Sequence, residues 1–410
     1  MNWRTVKIGL ISAAAVTVAA QIATAATLIA VDTLRKRRQP PSGDFPREAP
    51  RTTQTHGSAM TVYTDGDALY DAMLADIRAA KDTIFFESYI WKKDPMGERF
   101  KEELTEAALR GVDVYVIYDR FANLVVPPNF KRFHPALNVL PFKMFNGTFP
   151  LALRTYARDH RKLLVVDERV GYVGGYNIGQ IYADSWRDTH LRIEGPAVWE
   201  LANAFVDFWN FYKKKHQPAL ADRGARRWDA SIRAALNLPH RMLFPIRGIY
   251  IDAIDRATES VSITQAYFLP DEDIVHALLS AVKRGVDVHV LVPELSNHVV
   301  ADWVSRAGYE RLLAGGVHLH RYQHAMVHAK TMTVDGRWST VGTTNIDRLS
   351  FTGNFEINLE IFDDALAHAM EGVFATDLTN AVELTLEEWR SRPWWKTAVE
   401  RLLAPLSPLL

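Results

Sequence analysis

His160-Arg161-Lys162-Leu163-Leu164-Val165-Val166-Asp167, followed by Gly174-Gly175-Tyr176-Asn177, has a counterpart in His328-Ala329-Lys330-Thr331-Met332-Thr333-Val334-Asp335 with Gly342-Thr343-Thr344-Asn345. The histidine, lysine, aspartate, first glycine and asparagine of the first stretch (His160, Lys162, Asp167, Gly174, Asn177) each recur 168 positions later (328 − 160). A repeat of that period is a duplicated domain, not a solenoid. In a strand, residues two apart face the same side, so each histidine and its lysine meet one ligand, while the run behind them sits in a core. The glycines permit close backbone approach, and the asparagine amides can donate to an oxygen. A carboxylate trails each motif at equal distance, Asp188 lying 28 residues after His160 and Glu356 28 after His328.

Upstream of each motif the order of elements also repeats. Thr83 to Tyr89 reads as a buried strand, Gly97 to Leu109 as an amphipathic helix, and Arg110-Gly111-Val112-Asp113-Val114 as a helix end opening another strand. Ile263 to Phe268, Asp271 to Lys283 and Arg284-Gly285-Val286-Asp287-Val288 repeat the order. The glycines stand where helix C-caps belong. Strand, helix, strand at this spacing predicts two similar α/β domains, each a mixed sheet flanked by helices, over 59–215 and 244–388. A connector is expected over 216–243, and an amphipathic tail over 389–410, whose Trp394, Trp395, Leu402 and Leu403 with Lys396 and Arg401 suit a membrane interface or an inter-domain packing helix.

The amino terminus adds one further element. Residues 8–31 hold no charge, 24 in a row, enough for a helix to cross about 30 Å of hydrocarbon. Arg35, Lys36, Arg37 and Arg38 follow, and such a cluster stays cytoplasmic, which predicts a single-pass anchor with the body in the cytoplasm. The competing reading is a signal peptide cut after Ala23-Thr24-Ala25, with the body exported. The proline-rich stretch 39–58 reads as a linker. Phe121 to Phe149 reads as an apolar, membrane-facing lip, with a loop packed on the core as the alternative.

Among 410 residues, 48 basic and 48 acidic side chains cancel, leaving no broad positive field for nucleic acid, so none is expected as a partner. With no cysteine, disulfides, iron–sulfur clusters and thiolate zinc sites are excluded. What remains suits a phosphodiester. Lys162, Lys330, Asn177 and Asn345 would stabilise the charge that grows on its oxygens. One neutral histidine would attack phosphorus to form a phosphohistidine, and the other would protonate the leaving alcohol, then deprotonate the acceptor. Asp188 and Glu356 are expected to hold the far ring nitrogens. Asp167 and Asp335 are grouped with the motif, as catalytic candidates or as braces for the turn that follows the strand. His190, His298 and His324 read as ordinary histidines.

The doubled His-x-Lys-x-x-x-x-Asp with its trailing Gly-x-x-Asn resembles the phospholipase D superfamily. The resemblance implies that the halves pack about a pseudo-twofold axis and pool their motifs in one metal-free site. It further implies that His160 is the nucleophile and His328 the general acid and base, with no cofactor. Glu87-Ser88-Tyr89-Ile90, Gly174-Gly175-Tyr176-Asn177-Ile178, Trp186-Arg187-Asp188, Tyr267-Phe268-Leu269-Pro270-Asp271 and Asn354-Phe355-Glu356 narrow it to the bacterial cardiolipin synthase branch. That branch implies phosphatidylglycerol, an anionic lipid, as substrate and a membrane as setting. The alternatives are a phospholipase D-type hydrolase, a nuclease and a silent scaffold. Two features depart from the branch: one membrane helix where many relatives have two, and Leu349 where arginine is common before Ser350.

Overall fold

A computed structural model describes residues 3–38, 42–143, 157–221 and 230–409. Strands β1 (Arg51–Thr55), β2 (Ser58–Tyr63), β3 (Thr83–Ser88), β4 (Asp113–Asp119), β5 (Asn138–Phe142), β6 (Leu163–Val166), β7 (Val170–Gly174), β8 (Trp186–Arg187) and β9 (His190–Glu194) belong to the first half. All but β8 form one sheet in the order β1-β2-β9-β7-β6-β3-β4-β5. The second half supplies β10 (Ile232–Asn237), β11 (Ser260–Gln265), β12 (Asp287–Pro293), β13 (His318–Tyr322), β14 (Met326–Val327), β15 (Lys330–Val334), β16 (Trp338–Gly342), β17 (Glu356–Phe362) and β18 (Ala381–Leu384). Its sheet runs β10-β17-β16-β15-β11-β12-β13-β18. The two orders superpose element for element apart from the outermost strand of each. Both sheets are mixed, since β3–β4 and β11–β12 pair in parallel while β3–β6 and β11–β15 are antiparallel.

Side-chain alternation explains the layers. Ile84, Phe86, Leu164 and Val166 face outward onto helices Gly66–Ala79 and Pro95–Leu109, while Phe85, Leu163 and Val165 face inward. The inward cluster is continuous with Ile357, Leu359 and Ile361 of β17 and with helices Val198–Tyr212 and Asp364–Leu378. One apolar layer is thus shared by both halves. Burying a side chain such as Phe205 or Leu359 there stabilises the pairing by roughly 1.5–3 kcal/mol each.

Three boundaries differ from expectation. β1 lies inside the stretch read as linker, because its threonine-rich edge strand alternates partly buried and exposed positions and so looks polar in sequence. β10 lies inside the expected connector and pairs with β17 for a similar reason. The segment expected as a lip is packed inward as far as it is described. Val126 and Phe130 are buried, with Phe130 and Phe133 against Trp91, while Leu124 and Val125 stand exposed. Residues 144–149 of that expectation lie outside the described residues.

The N-terminal helix is Trp3–Arg38, and its segment Ala14–Arg38 is long and apolar enough to cross a membrane. Its second half lies against the body. Gln21 donates to the Leu402 carbonyl at 2.9 Å, and Leu28 joins an apolar cluster with Leu269, Trp303, Val304 and Leu403. The expected amphipathic tail is here the helix Trp394–Leu403, which packs through Leu403 and exposes Trp394.

Candidate active site

Both motifs sit where a strand leaves its sheet toward the other half. Asp159 bridges to Phe355 in parallel, with the His160 amide donating to the Phe355 carbonyl at 3.1 Å. In the equivalent place β14 pairs in parallel with β8, and the His328 amide donates to the Arg187 carbonyl at 2.7 Å. Each histidine is therefore pinned by backbone to the segment of the opposite half that carries a carboxylate. Trp186-Arg187-Asp188 and Asn354-Phe355-Glu356 are themselves 168 positions apart (356 − 188).

The carboxylates consequently cross over. His160 Nδ1 lies 3.0 Å from both Glu356 oxygens, and His328 Nδ1 lies 2.6 Å from Asp188 Oδ2. The partner of each histidine comes from the other repeat, not from the motif that precedes it in sequence. With Nδ1 committed to a carboxylate, Nε2 is the nitrogen left for chemistry. Edge-on aromatic rings help to position the imidazoles: Tyr89 stands 4.6 Å from the His160 ring centroid and Tyr267 6.3 Å from that of His328. Gly175 makes room for this arrangement, since a Cβ there would lie 2.0 Å from Asp188 Oδ1.

Both histidines, Asn177 and Asn345 line one cavity of about 760 Å³. Asn177 Oδ1 accepts from the Ile90 amide at 3.1 Å, leaving its NH2 to face a ligand, and Asn345 Oδ1 is buried without a partner among the described residues. Lys162 and Lys330 are buried beneath the histidines, each donating to the carbonyl of its own motif's histidine. Arg161, between His160 and Lys162, points the opposite way into a fully buried pair with Glu87 at 2.6 Å.

Asp167 and Asp335 are not brought to this site. Asp167 accepts from the amides of Lys81, Asp82 and Thr83, and Asp335 from those of Thr258, Glu259 and Ser260. Both follow the far end of the motif strand in left-handed backbone, φ 52° and 53°, a conformation that short polar side chains tolerate best. Grouping them with the catalytic candidates is corrected: they tie the strand's exit to the start of the neighbouring strand.

Several cavity residues carried no sequence expectation of a role. Arg158 lies two residues before His160, hence on the same side of the extended chain. Its Nε is buried without a partner among the described residues, and its guanidinium lies 4.3 Å over the Phe121 ring. Met326 occupies the equivalent place in the second repeat, so this cation is present once. His298, read as ordinary, also lines the cavity, as do Tyr89, Trp186, Asp347 and Leu349. The N-terminal helix supplies a wall through Ile29, Asp32, Thr33, Lys36 and Arg37, with Lys36 paired to Asp32 at 2.6 Å.

Burial dominates the electrostatics. It holds His160 well below the usual imidazole range, helped by Lys162 and Lys330, and holds His328 down to about 3 despite Asp188. Burial also brings Lys162 down to about 7 and Lys330 to about 8, and pushes Glu356 up to about 8 against the pull of Lys162. The His160 imidazole is accordingly kept neutral. That is the state a nitrogen nucleophile requires.

Residues 73–209 and 250–378 match the sequence model of the family described as cardiolipin synthase, PLD-like domain. The chain belongs to the cardiolipin synthase family. Among its relatives, the major cardiolipin synthase ClsA of Bacillus subtilis is 33% identical over 370 residues, 86% of this chain and 76% of that protein. Cardiolipin synthase 2 of Staphylococcus epidermidis is 32% identical over 375 residues, 86% of this chain and 75% of that protein. In fold, this family member is similar to the crystal structure of phosphatidylserine synthase from Haemophilus influenzae, with a TM-score of 0.68 and 15% identity over 91% of this chain and 97% of that one. The doubled α/β architecture is thus that of phospholipase D-like proteins.

Proposed function

We propose that this chain is a phosphatidyltransferase that makes cardiolipin and glycerol from two phosphatidylglycerol molecules. The observation that carries the proposal is the cavity itself. Two carboxylate-held histidines, one from each repeat, share it with a wall made by the membrane-type helix.

In the first step the His160 Nε2 lone pair attacks phosphorus, the bond to the glycerol oxygen breaks, and His328 gives that oxygen its proton. In the second, His328 takes the proton from a hydroxyl of the acceptor lipid, whose oxygen attacks phosphorus as the P–N bond breaks. Arg158 supports this order: it adds to the positive charge holding His160 neutral, and its Nε, without a partner among the described residues, suits a phosphate oxygen. Burial disfavours protonated His328 in the free site, and the charge of a bound phosphodiester would offset this. The Lys162 and Lys330 ammonium groups, with the amides of Asn177 and Asn345, then stabilise the charge that develops on the phosphoryl oxygens.

The N-terminal helix anchors the chain in this reading, and Arg35 to Arg38 keep the body on the cytoplasmic face. Product analysis of phosphatidylglycerol liposomes tests the function. Cardiolipin and glycerol in equal amounts are expected from the wild type, and neither from His160→Ala or His328→Ala. Phosphatidic acid as the main product would replace the transferase with a hydrolase.

A further inference from the structure

On the second sheet, away from the cavity, β12 and β13 bring three histidines together. His289 and His318 are direct partners in the parallel register, Asp287 precedes His289 by two residues on the same face, and His320 follows His318 by two. Glu383 of the neighbouring β18 lies opposite His320. The imidazoles stack, with the His289 ring centroid 4.6 Å from that of His318 and 5.2 Å from that of His320.

The hydrogen bonds give this stack a direction. His318 Nδ1 is 2.6 Å from Glu383 Oε1, so it carries the proton and its Nε2 presents a lone pair. His289 Nδ1 is 2.9 Å from His320 Nε2. His320 Nε2 is placed to accept there. His289 Nε2 then also presents a lone pair. These two nitrogens converge on the Asp287 carboxylate, at 3.0 Å from His289 and 3.7 Å from His318, and the three donor atoms lie within 4.8 Å of one another. Without a cation between them, lone pairs and carboxylate would repel. Metal–ligand bonds of about 2.0–2.2 Å put neighbouring donors on the order of 3–3.5 Å apart, close to what is seen.

We propose that Asp287, His289 and His318 form a binding site for a divalent transition ion of the zinc type, with Glu383 and His320 fixing the two ligand tautomers. Two imidazoles and one carboxylate select such an ion over calcium or magnesium, which prefer oxygen donors. The ligands come from two adjacent strands of a sheet, so the ion would clamp β12 to β13, with solvent completing its shell on the exposed side.

The test uses the full chain in detergent with its purification tag removed, titrated with Co2+ and followed by its visible absorption. The expected result is one tight equivalent per chain, displaced by Zn2+, abolished in the His289→Ala/His318→Ala double variant and weakened about 10-fold or more by Glu383→Gln. His160→Ala and His328→Ala, which leave this face intact, are expected to bind as the wild type does. Co2+ binding that is unchanged in the double variant, or no saturable binding by a wild type that still turns over lipid, would overturn the proposal. In that event the cluster is an ion-paired histidine stack in which His320 donates to His289 and His289 to Asp287.

Discussion

At the scale of single residues, the sequence displayed the two histidines plainly but not their wiring. Asp188 and Glu356 were legible as a matched pair, yet equal spacing cannot reveal that each serves the other repeat's histidine, because that depends on how the halves dock. Arg158 was hidden for the opposite reason: it has no counterpart in the second repeat, and self-similarity highlights only what recurs. Asp188→Asn and Glu356→Gln are each expected to lower kcat about 10–100-fold with little change in KM, since they hold nitrogens and not substrate. Gly175→Ala should do the same by pushing the Asp188 carboxylate aside. Wild-type kcat in that variant would show that Asp188 does not need its present place. The lysines set the pH dependence. Burial lowers Lys162 to about 7 and Lys330 to about 8, so their cationic forms, present at lower pH, are lost as pH rises through that range. A pH profile of kcat/KM, which reports the free enzyme, should therefore fall between about 7 and 8, and a profile that stays level up to about pH 9 would exclude this role.

At the scale of elements, strands and helices announced themselves wherever apolar periodicity was strong, as in Thr83–Ser88 and Glu272–Lys283. Edge strands β1 and β10 escaped notice because one face of each meets solvent. The motif aspartates belong to this scale. Asp167→Ala removes three acceptor contacts to backbone amides at the entry to β3, and is expected to lower the melting temperature while leaving kcat of the folded enzyme within about twofold. A large fall in kcat with unchanged stability would return Asp167 to the chemistry. A second brace joins the halves: Arg187, beside Asp188, donates from Nε and Nη2 to Asp377 at 2.9 and 2.6 Å, both side chains buried. Asp377→Ala strands the guanidinium and should cost about 3–5 kcal/mol, read as a lowered midpoint in thermal or urea unfolding.

At the scale of the molecule, the duplicated sheets and the crossed histidine–carboxylate pairs make one site out of two incomplete ones, and the N-terminal helix closes one side of it. That last contribution was unreadable in sequence, where an apolar run says only that a segment suits lipid. Here its charged end lines the cavity through Lys36 and Arg37, while Gln21 ties it to Leu402 of the last helix. Removing residues 1–38 should therefore reduce turnover about 10-fold or more even on detergent-dispersed lipid, where tethering is immaterial. Full activity of the truncated chain in micelles would reduce the helix to a tether. The central claim is that the shared site works through a phosphohistidine on His160. It is tested most directly by acid-free quenching of a single turnover, followed by intact and peptide mass spectrometry. The account predicts a transient phosphatidyl adduct on His160 that forms and decays within the single turnover as cardiolipin appears. An adduct confined to His328, or burst-free turnover with no adduct on either histidine, would contradict it.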